Sequence, residues 1–376
     1  MDDKKLFIVV NQDWFFLSHR LPIGISAKEA GWDVTIVCED TGVSYKIVEA
    51  GLKAVNMPIN KSGTNISDEL KTLRFLYRLF RREKPDVVHL VGLKIILWGS
   101  IACRLAGVKK MVSAVCGLGV LFDEEHAKSL MSRMILKVLK LTHKGDGVRV
   151  VFQNNDDKKL FTDNGIISEE RCVFTNGSGI DLANYDYTPE PKDEPIKVIF
   201  TARMVKDKGT LVLIEAAKKL EQTYQNRVRF LLCGGLDSNP HGITKVQLES
   251  LCDGEYIQWL GHRKDVLDLL KSSHIMAFPS WYREGLPKSV IEAEAVGRPV
   301  VTTDSVGCRD TVIDGYNGII VQPKDSNELA SALKRLIDNP ELRQTMGMNA
   351  RKFAEERFSI ADVVHEHLVM YDSLMN

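Results

Sequence analysis

The sequence predicts an α/β protein built from two doubly wound, Rossmann-like domains. The chain has 376 residues, which suggests about two domains. Short β-branched runs alternate with longer stretches of helical period, and this alternation starts again in the second half of the chain. The strand-like runs are almost continuously apolar, which is typical of parallel strands that are buried on both faces.

The strand-like runs define the order of the elements. Helical stretches such as 20–31 and 68–83 separate those of the first half. These first-half runs are LFIVV (6–10), VTIVC (34–38), VVHL (87–90), MVSAV (111–115), VRVVF (148–152) and CVF (172–174). The second-half runs are KVIFTA (197–202), RFLLC (229–233), IQWL (257–260), IMAFP (275–279), PVVTT (299–303) and GIIV (318–321).

A proline-rich, charged segment, TPEPKDEP (188–195), separates the two series. Such segments are typical of exposed linkers, although a surface loop inside one large domain remains the alternative. We therefore predict an N-terminal domain over 1–188 and a C-terminal domain over 189–357. The last segment, 358–376, has one apolar helical face, and we expect it to pack back on the N-terminal domain.

Composition excludes several classes of protein. The 50 basic and 50 acidic side chains cancel, which does not favour a nucleic-acid-binding protein. The seven cysteines are widely spaced and form no C-x-x-C pair, so we expect neither disulfides nor a zinc site. The N-terminus lacks the features of a signal peptide, and polar residues interrupt the longest apolar stretch, 87–108. These features together predict a cytoplasmic location.

The stretch PSWYREGLPKSVIEAEAVGRPVVTT (279–303) is the strongest candidate for a binding site. It follows a predicted strand, at the sheet edge where open α/β sheets bind ligands. Gly285 and Leu286 are predicted to form a turn, with Pro287 at the first helical position and the helix ending near Val296. The first-turn amides, assisted by the hydroxyl of Ser289, are suited to a diphosphate.

Two carboxylates flank this predicted anion site. Glu284 precedes the helix and Glu292 lies about one turn inside it, so both are placed to bind sugar hydroxyls. The alternative is that Glu292 and Glu294 are ordinary acids on a helix surface.

A second cluster lies in VIFTARMVKDKGTLVLIEAAKKL (198–220). Arg203, Lys206 and Lys208 follow a predicted strand and precede a helix. Cations there would neutralise a leaving diphosphate, although a solvated basic loop is the simpler interpretation of this segment by itself. Both clusters are predicted at the same sheet edge, which favours the functional interpretation.

The order of these motifs resembles the retaining glycosyltransferases of family four. The motifs are, in order, A-R-M-V-K-D-K-G, W-L-G (259–261), P-S-x-x-R-E-G-L-P-x-S-V-I-E-A and G-R-P-V-V-T-T-D. The similarity to the family is dense over about 195–325. Glu284 and Glu292 match the family's E-x7-E spacing.

The resemblance implies a GT-B fold, with a cleft between two Rossmann-like domains. It implies that Arg203 and Lys208 hold the donor's diphosphate, Glu292 the ribose and Glu284 the transferred sugar. Gly261 and His262, within 259–263, would then pass near the base. It also implies retention of configuration by front-side attack, with the departing phosphate accepting the acceptor's proton. Neither a metal nor another cofactor is expected, and the sequence contains no D-x-D triplet.

The N-terminal half offers weaker candidates for acceptor binding. F-L-S-H-R-L-P (16–22) is similar to a branch that acts in bacterial capsule, O-antigen and lipid-linked glycan assembly, and Ser18 or His19 could approach the cleft, or merely begin a helix. Where several relatives carry a histidine, this chain has Cys116, followed by Gly117. We expect a backbone contact there and not a reactive thiol, because no charge in the local sequence would stabilise a thiolate. His89, at the end of VVHL, is a further cleft candidate.

Local charge suggests a membrane partner. Between residues 66 and 144 there are 15 basic and 7 acidic residues, concentrated in the amphipathic stretches 70–84 and 127–144. Basic amphipathic helices can lie on anionic membranes, although ordinary core-packed helices with a solvated basic face are the alternative.

The sequence thus predicts transfer of a hexose or N-acetylhexosamine from a nucleotide sugar, with UDP the expected nucleotide. The expected acceptor is a glycan that could be linked to undecaprenyl diphosphate, in surface polysaccharide biosynthesis. A sugar-nucleotide 2-epimerase on a similar scaffold and a non-catalytic partner in glycan assembly are the alternatives.

Overall fold

The computed structural model describes residues 4–59, 65–122, 129–192, 194–237 and 241–375. It divides into two compact units, Met1–Gly179 with Ile360–Asn376, and Ile180–Ser359. The boundary after Gly179 replaces the predicted one after residue 188. Residues 180–188 belong to the second unit because Ile180 is buried there beside Phe353 and Phe358. The final segment returns to the first unit from Ile360, two residues later than predicted.

The described strands of the first unit form one parallel sheet in the order β3-β2-β1-β4-β5-β6-β7. Strand β3 is absent from the sequence prediction. It is the edge strand and two of its four residues are exposed, so it lacks the continuous apolar run by which the others were recognised. The strands are β1 (Lys4–Gln12), β2 (Trp32–Glu39), β3 (Lys53–Asn56), β4 (Val87–Val91), β5 (Lys110–Ala114), β6 (Val148–Phe152) and β7 (Cys172–Phe174).

Helices cover both faces of this sheet. The segment after β1, which precedes the predicted helical stretch 20–31, forms helix α1. Its first residue, Asp13, is buried and accepts hydrogen bonds from the backbone of Thr41 and Val43 at 2.9 and 3.1 Å. The last helix, α14, buries Val363 and Tyr371 in the core of the first unit. The helices are α1 (Asp13–His19), α2 (Leu21–Glu29), α3 (Tyr45–Glu49), α4 (Ile66–Glu83), α5 (Leu93–Ala106), α6 (Leu130–Thr142), α7 (Asn155–Asp163) and α14 (Ile360–Met375).

The described strands of the second unit form a parallel sheet in the order β10-β9-β8-β11-β12-β13, and all of them coincide with predicted runs. They are β8 (Ile196–Thr201), β9 (Val228–Cys233), β10 (Ile257–Gly261), β11 (Ile275–Phe278), β12 (Val300–Thr303) and β13 (Gly318–Val321). The helices are α8 (Thr210–Tyr224), α9 (Lys245–Leu251), α10 (Val266–Lys271), α11 (Lys288–Ala295), α12 (Ser326–Asp338) and α13 (Pro340–Arg357).

The order of strands fixes where the second unit can bind a ligand. The chain builds outward from β8 through β9 to β10, and then returns to add β11 on the other side of β8. The loops after β8 and β11 therefore diverge at a topological switch point, where open parallel sheets form their ligand crevices. Both motif clusters of the sequence fall in these two loops.

Candidate functional site

Backbone hydrogen bonds join the loops that follow β8 and β11. The carbonyl oxygen of Asp207 accepts the amides of Trp281 and Tyr282 at 3.0 and 3.1 Å and the hydroxyl of Ser280 at 3.2 Å. The first loop contributes a short 3₁₀ turn over Lys206–Lys208 before α8 begins. The turn places the two clusters against each other.

Gly209 makes this close approach possible. Its φ is +82°, and a Cβ built on it would lie 2.1 Å from the carbonyl oxygen of Pro279. An L-residue would be strained in that conformation and would also push the two loops apart. The glycine of the K-D-K-G motif is therefore required by loop packing as well as by its turn.

Lys208 lies at the centre of the site. Its ammonium forms an ion pair with Glu284, and the two side chains are 12% and 11% exposed. The ammonium also lies 5.1 Å from the ring centre of Tyr282 and 5.6 Å from that of Phe278. The Ser280 hydroxyl, which faces the Asp207 carbonyl, also lies 3.1 Å from the same Glu284 oxygen. Two aromatic faces and an acid thus hold this cation in one position, and the hydroxyl helps to hold the acid.

Arg203, which follows β8, pairs with a carboxylate that the sequence analysis did not select. Its Nη1 contacts Asp237, in the loop after β9. The Arg203 side chain is 41% exposed, so part of it is open to solvent. The structure therefore brings Lys208 and Glu284 into contact. It places Arg203 on the same loop as Lys208, where Asp237 from a third loop holds it.

Helix α11 begins where the sequence indicated, with one difference. Pro287 is the residue before the first turn and not its first member, and the helix ends at Ala295. The predicted turn residues Gly285 and Leu286 are buried, whereas Ser289, in the first turn, is half-buried. Gly307 supports this turn, because a Cβ built on it would lie 2.1 Å from the carbonyl oxygen of Gly285.

Glu292 is held by two neighbours. The hydroxyl of Tyr185 donates to it at 2.9 Å, and the ammonium of Lys288 lies 3.8 Å away. Burial raises the pKa of the Glu292 carboxyl, while Lys288 and the hydrogen bond from Tyr185 oppose that shift. The acid is therefore positioned, and it is not an ordinary surface residue of the helix.

Glu294, which could also have been a surface acid, is fully buried. It accepts a hydrogen bond of 2.6 Å from the amide of Asn317. Burial raises the pKa of its carboxyl well above the ordinary value. Glu294 therefore belongs to the packing of α11 against the rest of the unit.

Gly261 and His262 lie at the end of β10. Gly261 has a φ of +67°, and His262 is exposed, with its Cβ 3.5 Å from a Cβ built on Gly235. Trp259, from the same motif, instead points inward and donates to the carbonyl oxygen of Gly234 at 2.9 Å.

The first-unit candidates Ser18 and His19 lie in the last turn of α1. The Ser18 hydroxyl is 2.6 Å from Nδ1 of His19, and the His19 ring stacks on Phe15 with centroids 4.4 Å apart. Ser18 is exposed and His19 half-buried. They therefore end the unpredicted helix α1, and the helix predicted over 20–31 corresponds to α2.

The proposal that His89 lies in a ligand cleft is wrong. Its side chain is 0% exposed, and Nδ1 is 2.6 Å from the hydroxyl of Tyr371. The ring stacks on His367 with centroids 5.5 Å apart. Burial lowers the pKa of His89 well below its usual range. It holds α14 to β4.

The surroundings of Cys116 also differ from the prediction. The sequence analysis found no charge near its thiol, but Nη2 of the buried Arg20 lies 3.1 Å from Sγ. Arg20 is distant in sequence, so local composition could not show this contact. Gly117 beside it has a φ of +93°, as a tight turn after β5 requires.

The sequence analysis did not assign roles to several residues that shape the site. Asp237 and Tyr185 are distant from the motifs in sequence, and no local pattern marks them. Tyr282 and Ser280 lie inside the quoted motif, where their spacing from Glu284 could have suggested contacts with it.

Comparisons with known proteins agree with this geometry. The family model "Glycosyl transferases group 1" matches residues 186–353, and the model "Glycosyl transferase 4-like" matches residues 5–152. The two matches fall on the two units, in the order expected of a two-domain glycosyltransferase. The chain belongs to the family-four glycosyltransferases, which have the GT-B fold.

Two curated relatives align over nearly the whole chain. An N,N'-diacetylbacillosaminyl-diphospho-undecaprenol alpha-1,3-N-acetylgalactosaminyltransferase from Campylobacter jejuni is 26% identical, covering 96% of this chain and 98% of the relative. A UDP-Gal:alpha-D-GlcNAc-diphosphoundecaprenol alpha-1,3-galactosyltransferase from Escherichia coli is 25% identical, covering 92% and 90%.

A solved structure shares the fold. The Anabaena protein HepE, in complex with UDP and glucose, superposes with a TM-score of 0.78 at 18% identity, covering 99% of this chain and 100% of that one. Within the described residues, no helix combines the length and the apolar character that a membrane crossing requires.

Proposed function

We propose that this protein is a retaining glycosyltransferase that moves a hexose or N-acetylhexosamine from a UDP-sugar to a glycan linked to undecaprenyl diphosphate. The observation that carries the proposal is the buried ion pair of Lys208 and Glu284 at the switch point of the second unit. The ammonium of Lys208 suits the phosphate that leaves, and the carboxylate of Glu284 suits the hydroxyls of the sugar that is transferred.

The chemistry of the site supports transfer without a metal ion. Departure of the nucleotide leaves an oxocarbenium-like sugar and increases the negative charge on the diphosphate. Lys208 and Arg203 would stabilise that charge, and both are already held in place, by Glu284 and Asp237 respectively. Preorganised cations of this kind lower a barrier because they need not reorient during the reaction.

Retention of configuration follows if the acceptor attacks the face that the nucleotide leaves. The departing phosphate then takes the acceptor's proton, and no separate side-chain base is needed. Glu284 would bind hydroxyls of the transferred sugar, and Glu292, held by Tyr185, would bind the ribose.

The names of the relatives supply the acceptor class. Both act on sugars carried by diphospho-undecaprenol, and one of them uses UDP-galactose. A capsular polysaccharide biosynthesis glycosyltransferase from Staphylococcus aureus is 26% identical, covering 93% of this chain. These relatives favour surface polysaccharide assembly over the epimerase and the non-catalytic alternatives.

An acceptor of this class requires contact with a membrane, and helix α6 of the first unit is suited to it. Its outer face exposes Leu130, Met131, Met134 and Leu141 beside basic residues, and the helix contains no acidic residue. An amphipathic helix of this composition can lie in the surface of an anionic bilayer. We therefore propose a cytoplasmic location, on the inner face of the plasma membrane.

Substitution of Glu284 tests the enzymatic proposal. Glu284→Gln keeps the shape of the side chain and removes its charge, so UDP binding should persist while turnover falls on the order of a hundredfold. Glu249→Gln, an exposed change in α9, is the control. Transfer would be followed with a UDP-sugar panel and an undecaprenyl-diphosphate-linked acceptor, with and without EDTA. Unchanged turnover in the Glu284 variant, or loss of turnover in EDTA, would contradict the proposed mechanism.

The membrane proposal has its own test. Met131→Ser, Met134→Ser and Leu141→Ser together should weaken sedimentation with anionic vesicles, while transfer to a water-soluble acceptor analogue stays unchanged. Equal sedimentation of the variant and the unaltered protein would remove α6 from the proposed membrane contact.

A further inference from the structure

Arg20 is a buried cation that has no carboxylate partner. It lies between α1 and α2 and is 2% exposed. Its Nη1 donates to the carbonyl oxygen of His19 at 3.3 Å, and its Nη2 donates to Sγ of Cys116 at 3.1 Å. Nε has no hydrogen-bond partner, and within the described ranges no acidic side chain pairs with the guanidinium. Buried charges are normally paired, because an unpaired charge is costly to remove from water.

The other polar side chains near Arg20 do not supply the missing negative charge. Burial and, after it, the positive charge of Arg20 lower the pKa of His367 to about 4, and a histidine ring has no anionic form near neutral pH. Burial raises the pKa of the Tyr371 hydroxyl, although Arg20 opposes that shift. Among the described residues that contact the guanidinium, Cys116 is therefore the one whose side chain can become an anion.

Two separate segments bring this pair together at the carboxyl edge of the first sheet. Arg20 belongs to the segment after β1 and Cys116 to the segment after β5, with β4 between these two strands. Sγ of Cys116 also lies 3.7 Å from the carbonyl oxygen of Ala114. Cys116 is half-buried, so part of the residue is open to a small reagent from solution. The sequence analysis expected an unreactive thiol because it found no nearby charge, and the contact with Arg20 removes that reason.

The other cysteines have different surroundings. Within the described residues, none of their sulfurs accepts a hydrogen bond from a cationic side chain. Burial raises the pKa of all six thiols, to about 11 for Cys252. The thiolate is the reactive form of cysteine, so these thiols are poor nucleophiles. The buried ones are Cys38, Cys103, Cys233 and Cys308, and the half-buried ones are Cys172 and Cys252.

We propose that Cys116 is an oxidant-sensitive modification site that reacts with hydrogen peroxide. The guanidinium of Arg20 holds the sulfur as a thiolate, which attacks one peroxide oxygen. An S–O bond forms as the O–O bond breaks, and the displaced hydroxide combines with the proton that the thiol released to give water. The sulfur is oxidised to a sulfenic acid and the peroxide is reduced.

The three half-buried cysteines give a test within the unaltered protein. The full chain would be treated with hydrogen peroxide in the presence of dimedone, which labels sulfenic acids, and the label at each cysteine would be followed over time by mass spectrometry. Cys116 should be labelled on the order of tenfold faster than Cys172 and Cys252, because reactivity follows the thiolate. Equal rates at the three positions, or a faster rate at either of the other two, would overturn the proposal.

Two substitutions of Arg20 separate its charge from its packing. Arg20→Met and Arg20→Lys both keep a long side chain, but only lysine keeps the charge. Arg20→Met should slow the labelling of Cys116 on the order of tenfold, whereas Arg20→Lys should retain most of the rate. Labelling of Cys172 should be the same in all three proteins and is the internal control.

Thermal unfolding shows whether each variant is folded. An unchanged rate at Cys116 in a folded Arg20→Met protein would overturn the role of the guanidinium and with it the proposal. If Arg20→Met does not fold, the comparison of the three half-buried cysteines in the unaltered protein decides the question by itself.

The outcome is independent of the enzymatic proposal. Labelling needs neither a nucleotide sugar nor an acceptor, and it reports on sulfur chemistry in the first unit alone. If Cys116 fails its test, the argument from Lys208 and Glu284 in the second unit is unaffected.

Discussion

The carboxylate of Glu284 lies against the ammonium of Lys208, and neither side chain is more than 12% exposed. A charge buried to this degree depends on its partner, because removal of one member typically costs about 3–5 kcal/mol. The pair is thus a structural link between the loops after β8 and β11 as well as the proposed centre of the reaction.

Replacing Lys208 by methionine should reduce both stability and activity. Glu284 would be left as an unpaired buried charge, and the departing diphosphate would lose its nearest cation. We expect kcat/KM to fall on the order of a hundredfold to a thousandfold, with a lower unfolding temperature. In the Lys208→Met, Glu284→Gln double variant the unfolding temperature should recover while activity stays low. Recovery of activity in the double variant would contradict a direct role of the cation.

Tyr185→Phe should affect nucleotide binding more than turnover. The change removes the hydrogen bond of 2.9 Å that fixes Glu292, and with it one of the two contacts that hold the pKa of this buried acid down. KM for the donor should rise about tenfold or more with kcat almost unchanged, since one hydrogen bond to a charged group contributes about 1.5–3 kcal/mol. The lower limb of the pH profile of kcat/KM should move to higher pH. Tyr45→Phe, at an exposed position, is the control. A fall in kcat at constant KM would show that Glu292 has another role.

Glu294→Gln should stabilise the protein increasingly as pH rises. Burial raises the pKa of this carboxyl, so its favourable contribution is complete below the unfolded-state value of about 4.5 and is lost as pH rises through the folded-state pKa. Each unit of that shift corresponds to about 1.4 kcal/mol. Glutamine keeps the bond to Asn317 without a charge to bury. Thermal unfolding at several pH values would measure the effect, and a stability difference independent of pH would refute it.

Gly209→Ala and Gly254→Ala form a matched pair for loop packing. Both glycines have a φ of +82°, but a Cβ on Gly254 meets nothing within 4 Å, whereas one on Gly209 would lie 2.1 Å from the Pro279 oxygen. Both alanines should cost about 1–2 kcal/mol from backbone strain. Only Gly209→Ala should also displace the loops and reduce kcat/KM at least tenfold. Equal activity in the two variants would show that the contact with Pro279 is dispensable.

Sequence reasoning succeeded where the chain repeats a local pattern. Every described strand of the second unit was predicted, because each reads as a short apolar run, including the half-buried edge strand β10. It failed at β3, whose exposed edge position removes that run. It also failed at α1, which is stabilised by bonds from residues 41 and 43 to Asp13 that no local pattern encodes.

In the site, too, residues inside local motifs could be predicted and residues that act through long-range contacts could not. Lys208 and Glu284 could be selected because both stand inside dense motifs at strand ends. Asp237 and Tyr185 could not, since each is separated from its partner by a long stretch of chain. His89 was misassigned because the side chain that covers it, Tyr371, comes from the last helix.

That last helix also determines how the chain can be divided. The core of the first unit includes Val363, Met370 and Leu374, so a fragment ending at residue 179 would leave the surface that these side chains cover open to water. During synthesis, residues 180–359 emerge from the ribosome before the first unit has all of its parts. A soluble version of that unit needs residues 360–376 supplied through a short engineered connection.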